Sequence, residues 1–298
     1  MKSNIEKNNQ ALVVGPLMGP TTIIVTLMFL LPLIIFLRSS LNEFVPGQFM
    51  KTAWTLESFK NFLTDPFYLN ILWRTFYISL SSTLLSLVLG FPVAYFLVRM
   101  KSKRKSMIIM LIVFPLLVGN MIRNVGWIAL FSGSGLVNRW MMSLGFIQEP
   151  MQILQTPLSV IIAITNVVLP YMVLTLQSVL ERIDPALEEA AYDLGASRWT
   201  VMKSIVLPLG MPGILAGTLF VFVLSMNSYT TPLVIGGPKV QMMAPALYSQ
   251  ITQASNWPMG AAMAFILIVF TLALSLVYLM IMEKFTGKTS AAGTEVKG

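Results

Sequence analysis

The sequence predicts an all-α, polytopic membrane protein with six transmembrane helices, and three observations carry that reading. Hydrophobic residues make up 56% of the 298 positions and charged residues only 11%, with a mean hydropathy of +0.76. A soluble domain carries roughly 25% charge. Six stretches are long and apolar enough to approach the ~20 residues that a helix needs to cross a bilayer. Lysine and arginine are also distributed unevenly between alternate connections, as they are in loops on the two sides of a membrane. Because a bilayer interior offers no water to backbone polar groups, helices that satisfy their own N–H and C=O groups are the expected elements.

The first span, Leu17 to Leu37, follows a short charged segment. That arrangement resembles a signal peptide, but the apolar run is too long and no small-residue cleavage site follows, so an uncleaved helix is expected. Arg38 to Leu72 is too polar to span and is expected to form an external loop with a short surface helix near Trp54, Glu57 and Phe59. The second span, Phe76 to Val98, ends in the basic run Arg99 to Lys105, which reads as an anchor against anionic lipid. The third, Met107 to Phe131, leads to an external connection through Leu136–Trp140 and Ile147–Pro150. Leu158 to Leu180, Ile214 to Ile235 and Met259 to Met282 complete the set. The expected organisation is therefore a tail, first helix and external loop over residues 1–70, a five-helix core over 71–284 interrupted by a polar loop at 181–212, and a tail over 285–298.

Orientation follows from the basic residues. One set of connections holds thirteen: Lys2, Lys7, Arg99, Lys101, Lys103, Arg104, Lys105, Arg182, Arg198, Lys203, Lys284, Lys288 and Lys297. The other holds seven: Arg38, Lys51, Lys60, Arg74, Arg123, Arg139 and Lys239. The positive-inside rule then places both termini and the 181–212 loop in the cytoplasm. The net charge of +8 is accounted for by topology and calls for no nucleic acid.

Catalysis has little to work with. The chain has no cysteine and no histidine, which removes thiolate nucleophiles, disulfides, His-containing zinc sites and Ser-His-Asp triads. Gly287-Lys288-Thr289 imitates the end of a phosphate-binding loop, but position 282, where the leading glycine belongs, is Met282. No enzyme activity, metal or bound cofactor is expected of this chain.

The 181–212 loop carries the most specific pattern. Asp184-Pro185 reads as a helix start, with a capping oxygen followed by a proline whose missing donor costs nothing at that position. Leu187, Ala190, Ala191 and Leu194 fall on one apolar stripe, opposite Glu188, Glu189 and Asp193. Gly195 suits a left-handed terminator, Ser197 can cap a second helix over Arg198 to Val206, and Pro208 is expected to interrupt that helix before the next span. The series Glu189-Ala190-Ala191, Gly195, then Ile205-Val206-Leu207-Pro208 resembles the EAA loop of ABC importer permeases.

Further stretches resemble the spermidine/putrescine branch of type I importers: Pro115 to Trp127, Gly135 to Asn138, Leu169 to Met172, Leu180 to Asp184, Ile235 to Pro238 and Trp257 to Ala262. The resemblance implies a type I importer permease fold in a bacterial cell membrane. It also implies a second permease, identical or related, separate ATPase subunits that use the ATP, and a periplasmic or extracellular solute-binding protein. In such an assembly Glu189, Ala190, Ala191, Asp193, Gly195, Ile205, Leu207 and Pro208 would take up the ATPase's motion, and the pore would alternate its access.

Polar groups at membrane depth face the bundle interior or a water path. Asn120, Asn124 and Trp127, with Arg123, share one helical face, Asn227, Tyr229 and Thr230 cluster with Thr231 near the outer end of the fifth span, and Asn166 and Gln177 add amides to the fourth. These are the candidate pathway residues, and hydrogen bonding between helices is their alternative role. All twelve acids lie in loops, tails or helix margins, so no carboxylate of this chain is placed to meet a polycation in a span. A polyamine is the solute that the resemblance implies; an opine, a phosphonate, a thiamine-like cation or another small organic solute is the alternative. An ATP-independent secondary transporter or channel, the reading from a different class, would call for an ionisable group in mid-span.

Overall fold

A computed structural model describes residues 2–48 and 50–294, with the side chains of 19–48 and 50–282. Lys2, Lys7, Lys284, Lys288 and Lys297 of the orientation count lie outside those side chains. Among the described residues the chain is helical, with no strand beyond an isolated bridge between Glu43 and Lys51.

Contacts divide it into two compact units, residues 1–65 with 247–266 and residues 66–246 with 267–298. In the first, helix α1 (Lys2–Ser40) contains the span Gly19–Ser40. The following loop is closed by Arg38, whose guanidinium lies 4.3 Å from the Trp54 ring centroid and donates to Asn42 Oδ1 and the Ala53 carbonyl. Helix α2 (Glu57–Thr64) is the expected short surface helix.

The second unit is built on three long helices: α3 (Pro66–Arg99), α7 (Pro157–Leu180) and α10 (Leu207–Met226). At 34 residues, α3 is about 51 Å long at 1.5 Å per residue. It begins ten residues before the expected span because Pro66 starts a helix that the semi-polar run through Arg74 continues. α7 opens with a reciprocal cap between Thr156 and Ser159 and with Pro157 in the first turn. α3 turns small residues toward it. Ser82 donates to the Ile161 carbonyl and Thr165 to the Ser82 carbonyl, and a Cβ on Gly90 would lie 3.1 Å from Met172 Cγ. On the other side, a Cβ on Gly213 of α10 would come within 2.7 Å of Val179 Cβ. Small residues at these positions let the backbones approach where lipid supplies no hydrophobic drive.

The third span is not one helix. α4 (Lys105–Leu117) and the segment Asn120–Ser143, which α5 (Asn120–Phe131) opens, are bent by 96° across Val118, which is extended, and Gly119. Pro115 removes a donor in the last turn of α4, and the averaged apolar run Met107 to Phe131 conceals the break although Asn120, Arg123 and Asn124 follow it. α6 (Leu136–Ser143) follows, and its buried Asn138 holds the connection to α7 through Ser132 and Met151.

The fifth span also differs from expectation. It runs from Arg198 to Met226, and Pro208 does not interrupt it. α9 (Arg198–Val201) passes through a π-helical turn at Met202–Val206 into α10, with the Leu207 N–H reaching the Met202 carbonyl. The wider turn accommodates the proline ring. At the other end the helix stops at Met226, short of the expected Ile235, and a second π-helical turn covers Pro232–Gly236. α11 (Met243–Thr252) precedes α12 (Trp257–Thr294), whose span is Trp257–Met282. Residues 285–294 of the expected tail continue that helix. Among the described residues five helices are long and apolar enough to cross a membrane, six if the bent α4–α5–α6 segment counts as one span.

Candidate functional site

The loop between α7 and α10 is a closed helix–turn–helix. Asp184 caps α8 (Pro185–Asp193) by accepting from the Ala186 N–H at 2.9 Å. The helix ends in paired backbone bonds, Gly195 N–H to the Tyr192 carbonyl and Ala196 N–H to the Ala191 carbonyl, both 2.9 Å. That is the Schellman pattern, and it requires the left-handed φ of +83° at Gly195. Ser197 then accepts from the Thr200 N–H and opens α9.

The burial of α8 reverses the expected faces. Its supposed apolar stripe is uncovered: Leu194 is 90% exposed, Leu187 and Ala190 are exposed, and only Ala191 is half-buried. Tyr192 and Trp199 extend this open surface, and a cleft of about 640 Å³ beside it is lined by Tyr95, Tyr192, Ala196, Ser197 and Arg198. Glu188, assigned to the polar side, is instead 5% exposed. Its Oε1 accepts from Arg99 Nε at 2.9 Å and from Arg99 Nη2, and its Oε2 accepts from the Tyr95 hydroxyl at 2.6 Å. Arg99 Nη1 donates to the Ile183 carbonyl at 3.3 Å. The neighbouring Glu189 and Asp193 are exposed.

The basic run Arg99 to Lys105 is thus partly committed within the chain rather than only to lipid. Lys105 Nζ lies 2.8 Å from Glu181 Oε1, which also accepts from Gln177 Nε2. Those side-chain hydrogen bonds, from Lys105 first and Gln177 second, hold the Glu181 carboxyl below its ordinary 4.5, against a smaller opposing effect of burial. Ile205 and Leu207 are half-buried, Ile205 against the core, and Pro208 is exposed.

Among the candidate pathway residues, one hydrogen bond ties Asn124 to Thr231, the residue that follows Tyr229 and Thr230. Asn124 on α5 is 1% exposed, and its Oδ1 accepts from Thr231 at 3.4 Å, which joins α5 to the segment after α10. Its Nδ2, and Nε and Nη1 of Arg123, are buried and find no hydrogen-bond partner among the described residues. The remaining Nη2 of Arg123 donates to the Val118 carbonyl and to Asn120. Trp127 is half-buried against Phe131, with ring centroids 4.9 Å apart. Asn227 is exposed and closes the end of α10 through the Val223 carbonyl, while Tyr229, Thr230 and Asn166 are half-buried. Among the described residues no group of three or more metal-ligating side chains is assembled.

Sequence reasoning missed Glu188, Arg99 and Tyr95 as one site. Tyr95 and Arg99 stand four apart on the last turn of α3, a spacing that shares a face, but nothing local pointed to a partner 89 residues away.

Residues 73–287 match the family model described as "Binding-protein-dependent transport system inner membrane component". Among curated relatives, the spermidine/putrescine transport system permease protein PotB of Escherichia coli (strain K12) is 34% identical over 248 residues, covering 83% of this chain and 90% of that protein. The corresponding permease protein PotC of Shigella flexneri is 35% identical over 129 residues, 43% of this chain and 47% of its own length. A bacterial alginate ABC transporter, solved in complex with an alginate pentasaccharide-bound periplasmic protein, has a chain with the same fold. Its TM-score is 0.76 at 17% identity, covering 94% of this chain and 97% of that one.

Proposed function

We propose, because the chain belongs to the family of binding-protein-dependent transport system inner membrane components, that it forms one half of the pore of an ATP-driven importer for a polyamine such as spermidine or putrescine. The observation that carries the role is the α8–α9 loop: a rigidly capped helix–turn–helix that leaves Leu187, Leu194 and Trp199 uncovered. An apolar face of this kind at the end of a membrane bundle fits a protein surface. A separate ATPase docks there, a second permease completes the pore, and a periplasmic binding protein delivers solute to the opposite face. ATP closes the ATPase pair, the loop at Glu189 to Gly195 moves with it, and the pathway opens outward.

The polyamine assignment draws on the 34% identity to PotB over most of both chains. Polyamines carry ammonium groups, and aromatic faces can hold these in the absence of carboxylates within the spans. A second reading, a small organic solute with an anionic group, draws on the unmet donors of Arg123 and Asn124. Proteoliposomes holding the chain with its ATPase, second permease and binding protein separate the two. ATP-dependent uptake of labelled spermidine supports the first, and uptake of an opine or phosphonate in its place favours the second.

In this arrangement both termini, Arg99 to Lys105 and the α8–α9 loop are cytoplasmic. The chain has no native cysteine, so single cysteines at Ser102, Ser197 and Ser255 report it on intact spheroplasts. An impermeant thiol reagent should label position 255 alone; labelling at 102 or 197 refutes the orientation.

A further inference from the structure

We infer that Glu188, clamped by Arg99 and Tyr95, is a strut that ties the loop helix α8 to the membrane helix α3 and passes the loop's displacement directly into the core. The inference rests on the loop being the ATPase-facing element. Covalent connection joins α8 to α7 through residues 181–184 and to α9 and α10 through 194–197, but nothing in the chain path joins it to α3. The Glu188 carboxylate makes that link with both oxygens, one on the Arg99 guanidinium and one on the Tyr95 hydroxyl. Arg99 spends a third nitrogen on the Ile183 carbonyl, so the end of α3 also grips the approach to α8.

Three features favour a mechanical task over mere packing. A buried ion pair stabilises no better than an apolar pair of similar volume, and its best-attested use is to fix register. The planar guanidinium closes on one carboxylate oxygen through Nε and Nη2 while Nη1 reaches the Ile183 carbonyl, so it holds direction as well as distance, which a lysine would not. The surrounding surface of α8 is otherwise open, with Leu187, Ala190 and Glu189 exposed. Glu188 is therefore a positioning residue: it touches no solute and acts through α3.

The experiment uses the complete assembly with spin labels on cysteines placed at Phe96 of α3 and Ala186 of α8, both exposed. In the otherwise wild-type chain the 96–186 distance distribution should be narrow and should stay the same when ATP is added, because the two helices move together. Glu188→Gln, which keeps the shape and removes the charge, should broaden it and let ATP shift it. Uptake per ATP hydrolysed should then fall by about fivefold, the lower edge of ordinary coupling effects, with ATPase co-purification unchanged. The exchange R99E/E188R should narrow the distribution again. Tyr95→Phe, which removes one hydroxyl without altering packing, gives a milder broadening and decides the matter if Glu188→Gln does not assemble. A distribution that stays narrow in Glu188→Gln and Tyr95→Phe, or one that ATP already shifts in the wild-type background, overturns the strut. Failure of the ATPase to co-purify with the wild-type chain would overturn the functional reading instead, and there would be no motion to transmit.

Discussion

The end of the core that carries the α8–α9 loop and the α5 region treat their polar groups in opposite ways. At the loop end Arg99, Glu188, Tyr95, Lys105, Glu181 and Gln177 engage one another, four of the bonds joining residues 76 to 93 positions apart. Around α5, Arg123 bonds only to its own neighbourhood, and three buried donors on Arg123 and Asn124 remain without a partner among the described residues. Buried polar groups are almost always hydrogen-bonded. Apart from Gln177 Oε1, which is also buried without a partner among the described residues, the first region is therefore matched for holding position, and the second is suited to an acceptor from outside the chain, whether water, solute or another polypeptide.

Breaking the matched region should cost stability. Glu188→Ala leaves Arg99 without its carboxylate; such losses run to about 3–5 kcal/mol for fully buried pairs. With Arg99 still 21% exposed the lower end applies. In detergent the melting temperature should drop by about 6–12 °C at ~2–4 °C per kcal/mol, and an unchanged value would remove the contrast.

Breaking the open region should instead cost function. Arg123→Met removes the bonds to Val118 and Asn120 but also two buried donors without a partner among the described residues, whose burial is itself unfavourable, so the net loss should stay near ~1 kcal/mol and the melting temperature should fall by no more than about 4 °C. Transport in the assembly should fall at least about tenfold, as expected for one charge-assisted contact of ~1.5–3 kcal/mol. A large stability loss with normal uptake would make Arg123 a structural residue and dissolve the comparison.

The smallest effect belongs to the exposed pair. Lys105→Gln should change stability by about 1 kcal/mol or less, and salt should erase the difference. Because Glu181 is held below its ordinary 4.5, its contribution is present above that value and is lost as the pH falls through the lowered one. Wild type and Lys105→Gln should then converge in acid; a gap that persists there argues against the pairing.

What the sequence made legible was local. Asp184, Gly195 and Ser197 act within three or so residues of themselves, and each cap stands where its residue type demands. Hydropathy likewise located the spans, because a window of apolar residues reads the same whatever it packs on. The bend at Val118 and Gly119 was hidden for that reason, since the stretch Met107 to Phe131 stays apolar on average although Asn120, Arg123 and Asn124 follow the break. Pro208 misled because a proline stops a regular helix, whereas a π-helical turn before it lets the helix continue. Glu188 was placed on the polar face by helical periodicity, which cannot see that the last turn of another helix supplies its counter-charge. In the same way, the apolar stripe of α8 was legible as a stripe, but not which side of it the chain itself would cover.

The central claim is that the α8–α9 loop is the element through which an ATPase drives this permease, and two substitutions at its exposed turn test it most directly. Gly195→Val forces a β-branched side chain into a φ of +83°, a strain of about 1–2 kcal/mol that also re-aims α9. Glu189→Ala removes only an exposed carboxylate. Both variants should insert normally, and in the complete assembly ATP hydrolysis should no longer rise when loaded binding protein is added, more severely for Gly195→Val. Wild-type stimulation and wild-type uptake in both variants would contradict the account.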